Sequence, residues 1–483
     1  MAEQQAQVAE GRTGWRAALP AFVAFACYAL SNWMTTNLIF PIGTAAAPYC
    51  RDVATLANAV LYFSVALIAS HRPRLLSRHV FLVALPVLAV VGAVILAAPA
   101  GANPALATLA ISLLLFASTA VMLSAGCSLA RLDARLLAPC VLVGLALSYL
   151  LRFVLADLGG VAALALFVAV QALAVFAGRG DMAATLRTLQ SGETPDELTL
   201  TNPFSFLPRT HRLFVCLGLF QLAYGVALGF GEVNVTPLAT FAGVVPLLCL
   251  AVFFLLARRM PRFDTLFGWA LLLVMSGFLF TDVSQQVAAP LTSNLLEAGS
   301  SCFMLLFWPI LATMAARNRT GTLPLFAWSG FLLCIGVTAG AAVGRVCYAV
   351  GAQGLVQSAS LTAVIVLSMA AYAVFGMRGF SFDATVAGIA QIDEGQQARE
   401  TSEAVPVSQT AELLEGMANH AGLTAREQEI FLLLAQGRNG GYIQRQLGVS
   451  YNTIKTHVAH IYAKFSVHSH QELIDLVEQK AGR

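Results

Sequence analysis

Between Tyr442 and Phe465 the chain sets Arg445, Lys455 and Lys464 among Tyr451, Asn452, Thr453, Thr456 and His457. These are the side-chain types that grip phosphate and read base edges. On a helix from Ser450 to about Phe465, the residues Ile454, Val458, Ile461 and Phe465 fall within a narrow arc and make one apolar stripe. Asn452, Thr456 and Ala459 point the opposite way, with Lys455 flanking them and Tyr451 and Thr453 opening the helix. A helix lying in the major groove presents its N-terminal residues to the bases. Lysine donates to guanine O6 or N7, and a threonine methyl packs on thymine. His457, Lys464 and Arg445 are better placed for phosphate, which positions a protein on the duplex without specifying sequence. The chemistry on offer is recognition. The sequence shows no Gly-rich phosphate loop and no metal-ligand cluster, and its nine cysteines include no CxxC pair. It predicts neither an enzyme nor a metal or cofactor site.

Local signals place this helix in a compact unit of four helices over 420–483. Thr424 with Glu427 makes a capping box, as does Ser469 with Glu472. Gly437 stops the first helix, Gly448 makes the sharp turn after Tyr442–Leu447, and Ser450 is the next N-cap. Helix, tight glycine turn and second helix make a helix-turn-helix. The stretches LTAREQEI and NTIKTHVAHIYAKF resemble the LuxR-type helix-turn-helix signature over about 60 residues. The resemblance implies a transcription regulator that binds double-stranded DNA at an inverted repeat. It also implies a homodimer formed with help from Leu473, Ile474, Leu476 and Val477, and matches Lys455, Thr456 and Ala459 to base-facing positions. Residues 424–483 carry seven basic against five acidic side chains, a weak electrostatic footprint that favours dimerisation or tethering. The competing reading of these residues is a small helical bundle that binds another protein.

Upstream, the chain changes regime. Of the whole sequence 58% is hydrophobic and only 11% charged, outside the range of a soluble protein. All three lysines lie at or after position 455. A bilayer core about 30 Å thick needs roughly 20 apolar residues per helix. Twelve segments satisfy this: 17–40, 53–70, 80–98, 104–127, 136–156, 160–177, 211–231, 236–257, 264–281, 294–315, 324–347 and 353–376. Arginines in the tails and alternate loops split 17 to 3 between the two sides, which places both termini in the cytoplasm, and the LuxR-type resemblance implies that the membrane is a bacterial inner membrane.

The fold class predicted is therefore all-α: a polytopic bundle of twelve transmembrane helices over 17–376 and the C-terminal helix-turn-helix domain. A cytoplasmic tail, 1–16, precedes the bundle. The longest loop, 178–210, divides the spans six and six. Arg152, seven residues before Gly159, echoes Arg345, six before Gly351, and Tyr28 echoes Tyr224. Helix count and this 6+6 pseudo-repeat resemble the major facilitator fold. Residues 377–419 turn acidic and read as a linker, with one helix near Ala411–His420 and an r.m.s. reach of roughly 35 Å if flexible.

Ionisable groups inside a membrane point to an internal cavity or a partner. Arg152 has two expected fates, snorkelling to the interface or pairing with Asp157; Arg345 has Glu297, Glu232 or a ligand carboxylate or phenolate as candidates. With Tyr28, Asn32, Gln221, Tyr224 and Tyr348, these residues outline a pocket for a small aromatic or anionic molecule. The expectation is a one-component sensor, with a transporter carrying its own regulator as the alternative.

Overall fold

The structure, a computed structural model of the chain, describes residues 15–191, 212–229, 262–279, 285–317, 321–352, 358–387 and 416–435. It further describes 451–465 and scattered positions between 244 and 253 and between 414 and 477. The described residues are helical with no β-strand, and they divide into two compact units.

The first unit holds α1 (Trp15–Met34, carried on through Ala46), α2 (Cys50–His71), α3 (Leu85–Ala97), α4 (Pro104–Leu129), α5 (Ala134–Leu155) and α6 (Gly160–Ser191). It continues with α7 (Arg212–Gly229), α8 (Phe263–Leu279), α9 (Gln285–Arg317), α10 (Thr322–Ala352), α11 (Ser358–Ala371) and the short α12 (Phe382–Ala387). Among the described residues, eight of its helices are long and apolar enough to cross a membrane. Eleven of the twelve expected segments coincide with helices, and the other, 236–257, lies mostly outside the described residues.

The bundle's exterior is as apolar as its core. On α3, Ala89, Gly92 and Leu96 turn inward while Val87, Val90, Val91 and Val94 are exposed. A helix apolar on both faces belongs in lipid. Serine and threonine hydroxyls return their hydrogen bonds to the carbonyl four residues back, as Ser64 does to Val60 at 2.7 Å and Thr35 to Ser31 at 2.8 Å. These hydroxyls are thereby satisfied within their own helix. Pro41 and Pro86 have no N–H to give the preceding turn, and each follows a widened π-helical turn, Thr35–Ile39 and Val80–Ala84.

Small residues decide how closely the helices approach. Gly340 and Gly344 of α10 lie against the Leu222 and Val226 carbonyls of α7, and Gly225 and Gly229 of α7 against the Val337 and Ala341 carbonyls of α10. A Cβ at any of the four would collide with backbone, so this is a small-residue helix crossing of the membrane type. In the same way Gly299 of α9 abuts the Ala270 carbonyl and Val274 of α8, and Gly277 of α8 abuts Leu296 of α9. Side-chain hydrogen bonds join α2, α4 and α6: Thr119 to Asn58 at 2.8 Å, and Gln171 to Ser118 at 2.7 Å.

The second unit contains α13 (Ala425–Ala435) and α14 (Tyr451–Phe465). Its core gathers Ile430, Phe431, Leu434, Ile443, Ile454, Val458 and Ile461. Leu414, Met417 and Ala418, expected in the linker, are also buried in this core. The unit therefore begins before position 420. The helical residues ending at His420 close in a Schellman turn, with Leu423 N–H donating to Ala418 at 3.1 Å and Gly422 N–H to Asn419 at 3.1 Å. Gly422 sits at φ +64°, a conformation that disfavours any residue with a Cβ. At the other end of the expected linker, α12 belongs to the first unit. Residues 388–413 lie outside the described set.

Candidate nucleic-acid interface and interior charge cluster

The expected stripe on α14 faces the core: Ile454 and Ile461 are fully buried, Val458 nearly so, and Phe465 stacks on Phe431 of α13 with ring centroids 4.8 Å apart. Thr456 and Ala459 are exposed on the opposite side, and His457 is half-buried. Tyr451, Asn452, Thr453 and Lys455 lie on α14 with their side chains outside the described set, and Arg445 and Ser469 lie outside it altogether.

One buried carboxylate holds α14 in place. Glu427, only 4% exposed, accepts the Thr424 N–H at 2.8 Å and Lys464 Nζ at 2.7 Å, while Thr424 Oγ1 accepts the Glu427 N–H at 3.4 Å. The capping box is thus present and extended by an ion pair to α14. The hydrogen bond from Lys464, then that from the Thr424 backbone, pull the Glu427 carboxyl down to about 2. Lys464 also donates to the Gly422 carbonyl at 2.8 Å. The ammonium expected on DNA phosphate thus braces the domain internally. Arg426 ties the domain further, donating to the Leu447 carbonyl at 2.9 Å and pairing with Glu429. Two residues expected at a dimer face, Leu473 and Val477, are buried in the domain's own core instead. Their burial was hidden in the sequence because a core helix and an interface helix share one apolar pattern.

Residues 421–477 match the model of bacterial regulatory proteins, luxR family. Residues 421–477 form a LuxR-family domain. Over 61 residues the chain is 41% identical to the transcriptional activator protein ExaE of Pseudomonas putida, covering 13% of this chain and 28% of that protein. Over 52 residues it is 42% identical to the monoamine regulon transcriptional regulator of Klebsiella aerogenes, covering 11% of this chain and 23% of that one. The chain thus spans about a quarter of these relatives' length. The crystal structure of the nucleoside transporter NupG aligns with 76% of the chain and all of its own, at TM-score 0.43 and 12% identity.

Outside the LuxR-family domain, the apolar bundle buries a charge pair. Arg152 of α5 donates to Glu297 Oε1 of α9 at 2.5 Å, and the same oxygen accepts Tyr149 OH at 2.8 Å. Tyr149 also bonds Ser301 at 2.9 Å. The Arg152 guanidinium lies 3.8 Å from the Tyr149 ring centroid and 5.7 Å from that of Trp33, a cation–π arrangement. Arg152 is 9% exposed, so it neither snorkels nor pairs with Asp157. Tyr224 of α7 is half-buried. Tyr28 packs edge-on against Trp308 at 4.7 Å, on the helix that carries Glu297.

The other expected pocket residues do not all join this cluster. Arg345 pairs with Asp52 at the start of α2, at 2.7 Å, rather than with Glu297. Asn32 and Tyr348 are exposed, Gln221 is buried beside Gly336, and Glu232 lies outside the described residues. Tyr149 and Ser301 were missed, although each stands one helical turn from a charge already singled out: three residues before Arg152 and four after Glu297.

Proposed function

We propose that this chain is a membrane-anchored one-component transcription regulator of the bacterial inner membrane. Its bundle senses a small molecule and its LuxR-family domain, facing the cytoplasm with the N-terminus, binds promoter DNA. The observation that carries the reading is the joining, in one chain, of a LuxR-family domain to a bundle that buries an aromatic-walled ion pair. Tyr451, Asn452, Thr453, Lys455, Thr456 and Ala459 supply the base-facing side of α14, with His457 and Arg445 toward phosphate. The seven-to-five balance of basic and acidic residues makes the domain bind as a dimer on an inverted repeat. Twelve spans in a 6+6 arrangement complete the reading.

The sensing site centres on Arg152, Glu297, Tyr149 and Tyr224, with Trp33 and Tyr28 as walls. Because Glu297 already neutralises Arg152, the ligand class favoured is a flat aromatic molecule that hydrogen-bonds to the pair. A second reading, a transporter with a fused regulator, draws on the same pair, since buried charges also mark substrate and proton paths.

Chromosome-wide DNA occupancy of the full-length protein, with Lys455→Ala as the control, separates the readings. Enrichment at a few promoters, lost in the variant, is the expected result. Absence of enrichment together with substrate uptake by vesicles would establish the transporter.

A further inference from the structure

The chain leaves the bundle through a fastening. After α11 a turn at Gly379, φ +70°, reverses the backbone, and Phe380 N–H donates to Met377 at 2.9 Å. The reversed chain then meets the start of α8 in a reciprocal cap. Asp264 accepts Ser381 Oγ at 2.6 Å and the Phe382 N–H at 2.7 Å, while Asp383 accepts the Phe263 and Asp264 N–H groups, each at 3.3 Å. Each aspartate thus satisfies otherwise orphaned N–H groups at the start of the other's helix. Phe382 is 3% exposed, with its ring 5.1 Å from Phe267 and 5.0 Å from Phe380. Arg212 of α7 donates to the Arg378 carbonyl at 3.1 Å, pinning the turn from the other side.

We propose that this reciprocal cap between Asp264 and Asp383 is the joint that carries a rearrangement at Glu297 to the chain leading into the DNA-binding unit; the proposal rests on the sensing reading above. The route is continuous and close-packed. Glu297 lies between Leu296, which fills the place beside Gly277 of α8, and Gly299, which abuts Ala270 and Val274 of α8. Along this seam α9 packs directly on α8, so a shift of α9 is passed to α8. Asp264, in the first turn of α8, holds the backbone of Phe382 directly. A displaced α8 therefore pulls on or releases the six-residue α12, from which the chain runs on toward Leu414.

The test is a double-mutant comparison in the full-length protein in its own cells, with two readouts. Glu297→Gln is expected to change transcript from an occupied promoter at least about threefold in the wild-type background. In the Asp264→Ala or Asp383→Ala background it is expected to change nothing. Amide exchange, measured on protein in lipid nanodiscs, is expected to rise at least about tenfold at Phe382 in Asp264→Ala, and at Phe263 and Asp264 in Asp383→Ala, since these N–H groups lose their carboxylate acceptors. Asp264→Asn, which keeps an acceptor for Phe382, should recover most of the protection. If the exchange rises but Glu297→Gln still shifts transcript equally in every background, the joint is not the route. A silent Glu297→Gln in the wild-type background overturns the proposal as well. Loss of promoter occupancy in the wild type would instead sink the regulator reading, an outcome read without any variant at the cap.

Discussion

Replacing Glu427 by glutamine tests whether one buried carboxylate holds the recognition helix. The side chain is nearly isosteric, and the amide can still accept from Thr424, so the change removes charge with little change of shape. Holding the carboxyl at about 2 rather than its ordinary 4.5 corresponds to about 3 kcal/mol in favour of the folded state at neutral pH. Lys464, a third of whose side chain is open to water, is partly screened, so about 2 kcal/mol is the better expectation. The sign follows from the direction: a lowered carboxyl stabilises above its unfolded value and loses that contribution as pH falls from about 4.5 toward about 2. Urea unfolding of the fragment 408–483 should show wild type more stable than Glu427→Gln by about 2 kcal/mol at pH 7. Less than half of that difference should remain at pH 3. A difference that stays constant across this range would mean that the carboxylate's charge is not what braces α14, and the reasoning from the Lys464 pair would fail.

Three further outcomes are expected. Gly422→Ala, at φ +64°, should cost the same fragment about 1 kcal/mol in urea unfolding, because alanine resists the left-handed region. Gly340→Leu should force α7 from α10 and lower the melting temperature of the purified full-length protein by roughly ten degrees or prevent its accumulation, whereas Gly218→Ala, whose Cβ meets nothing within 4 Å, should be silent in the same assay. Lys464→Ala should destabilise the domain while leaving the salt dependence of DNA binding nearly unchanged, as measured by fluorescence anisotropy over a salt series; a loss of about one unit of slope would return Lys464 to the phosphate contacts.

What the sequence disclosed, and what it withheld, divides along physical lines. Helices and caps are local, so the stripe Ile454, Val458, Ile461 and Phe465, the Thr424–Glu427 box and eleven apolar segments were legible in spacing and composition alone. Partner choice across the fold is not local. Arg152 could be seen to need a partner, but Glu297 stands 145 residues away, and Asp52 stands 293 from Arg345. The bracing role of Lys464 was hidden for the same reason: a lysine on a basic helix looks available to phosphate until its buried acceptor on α13 is known. The true start of the second unit was masked by charge. Glu412 and Glu415 make 411–420 look like linker, while Leu414, Met417 and Ala418, three and four apart, are the face that the core buries.

Two ion pairs that join different helices of the bundle differ in a way that decides where a signal can begin. Asp52–Arg345 keeps 21% and 45% of its side chains in contact with the surroundings outside the protein, so it holds α2 to α10 with a strength on the order of 1 kcal/mol or less. Arg152–Glu297 is far more enclosed, at 11% and 20%, and has Tyr149 bonded to the same oxygen. Removing one partner there strands a desolvated charge, at a cost of about 3 to 5 kcal/mol. A ligand shifts a conformational equilibrium only by its difference in affinity for the two states, and about 5.5 kcal/mol moves it from one extreme to the other. Of the two pairs, only the enclosed one has energies of that order to rearrange. Glu297→Gln should therefore alter output in the proposed sensor far more than Asp52→Asn, whose loss leaves Arg345 half in the open. Equal effects of the two substitutions on transcript would show that enclosure is not what gives the interior pair its leverage.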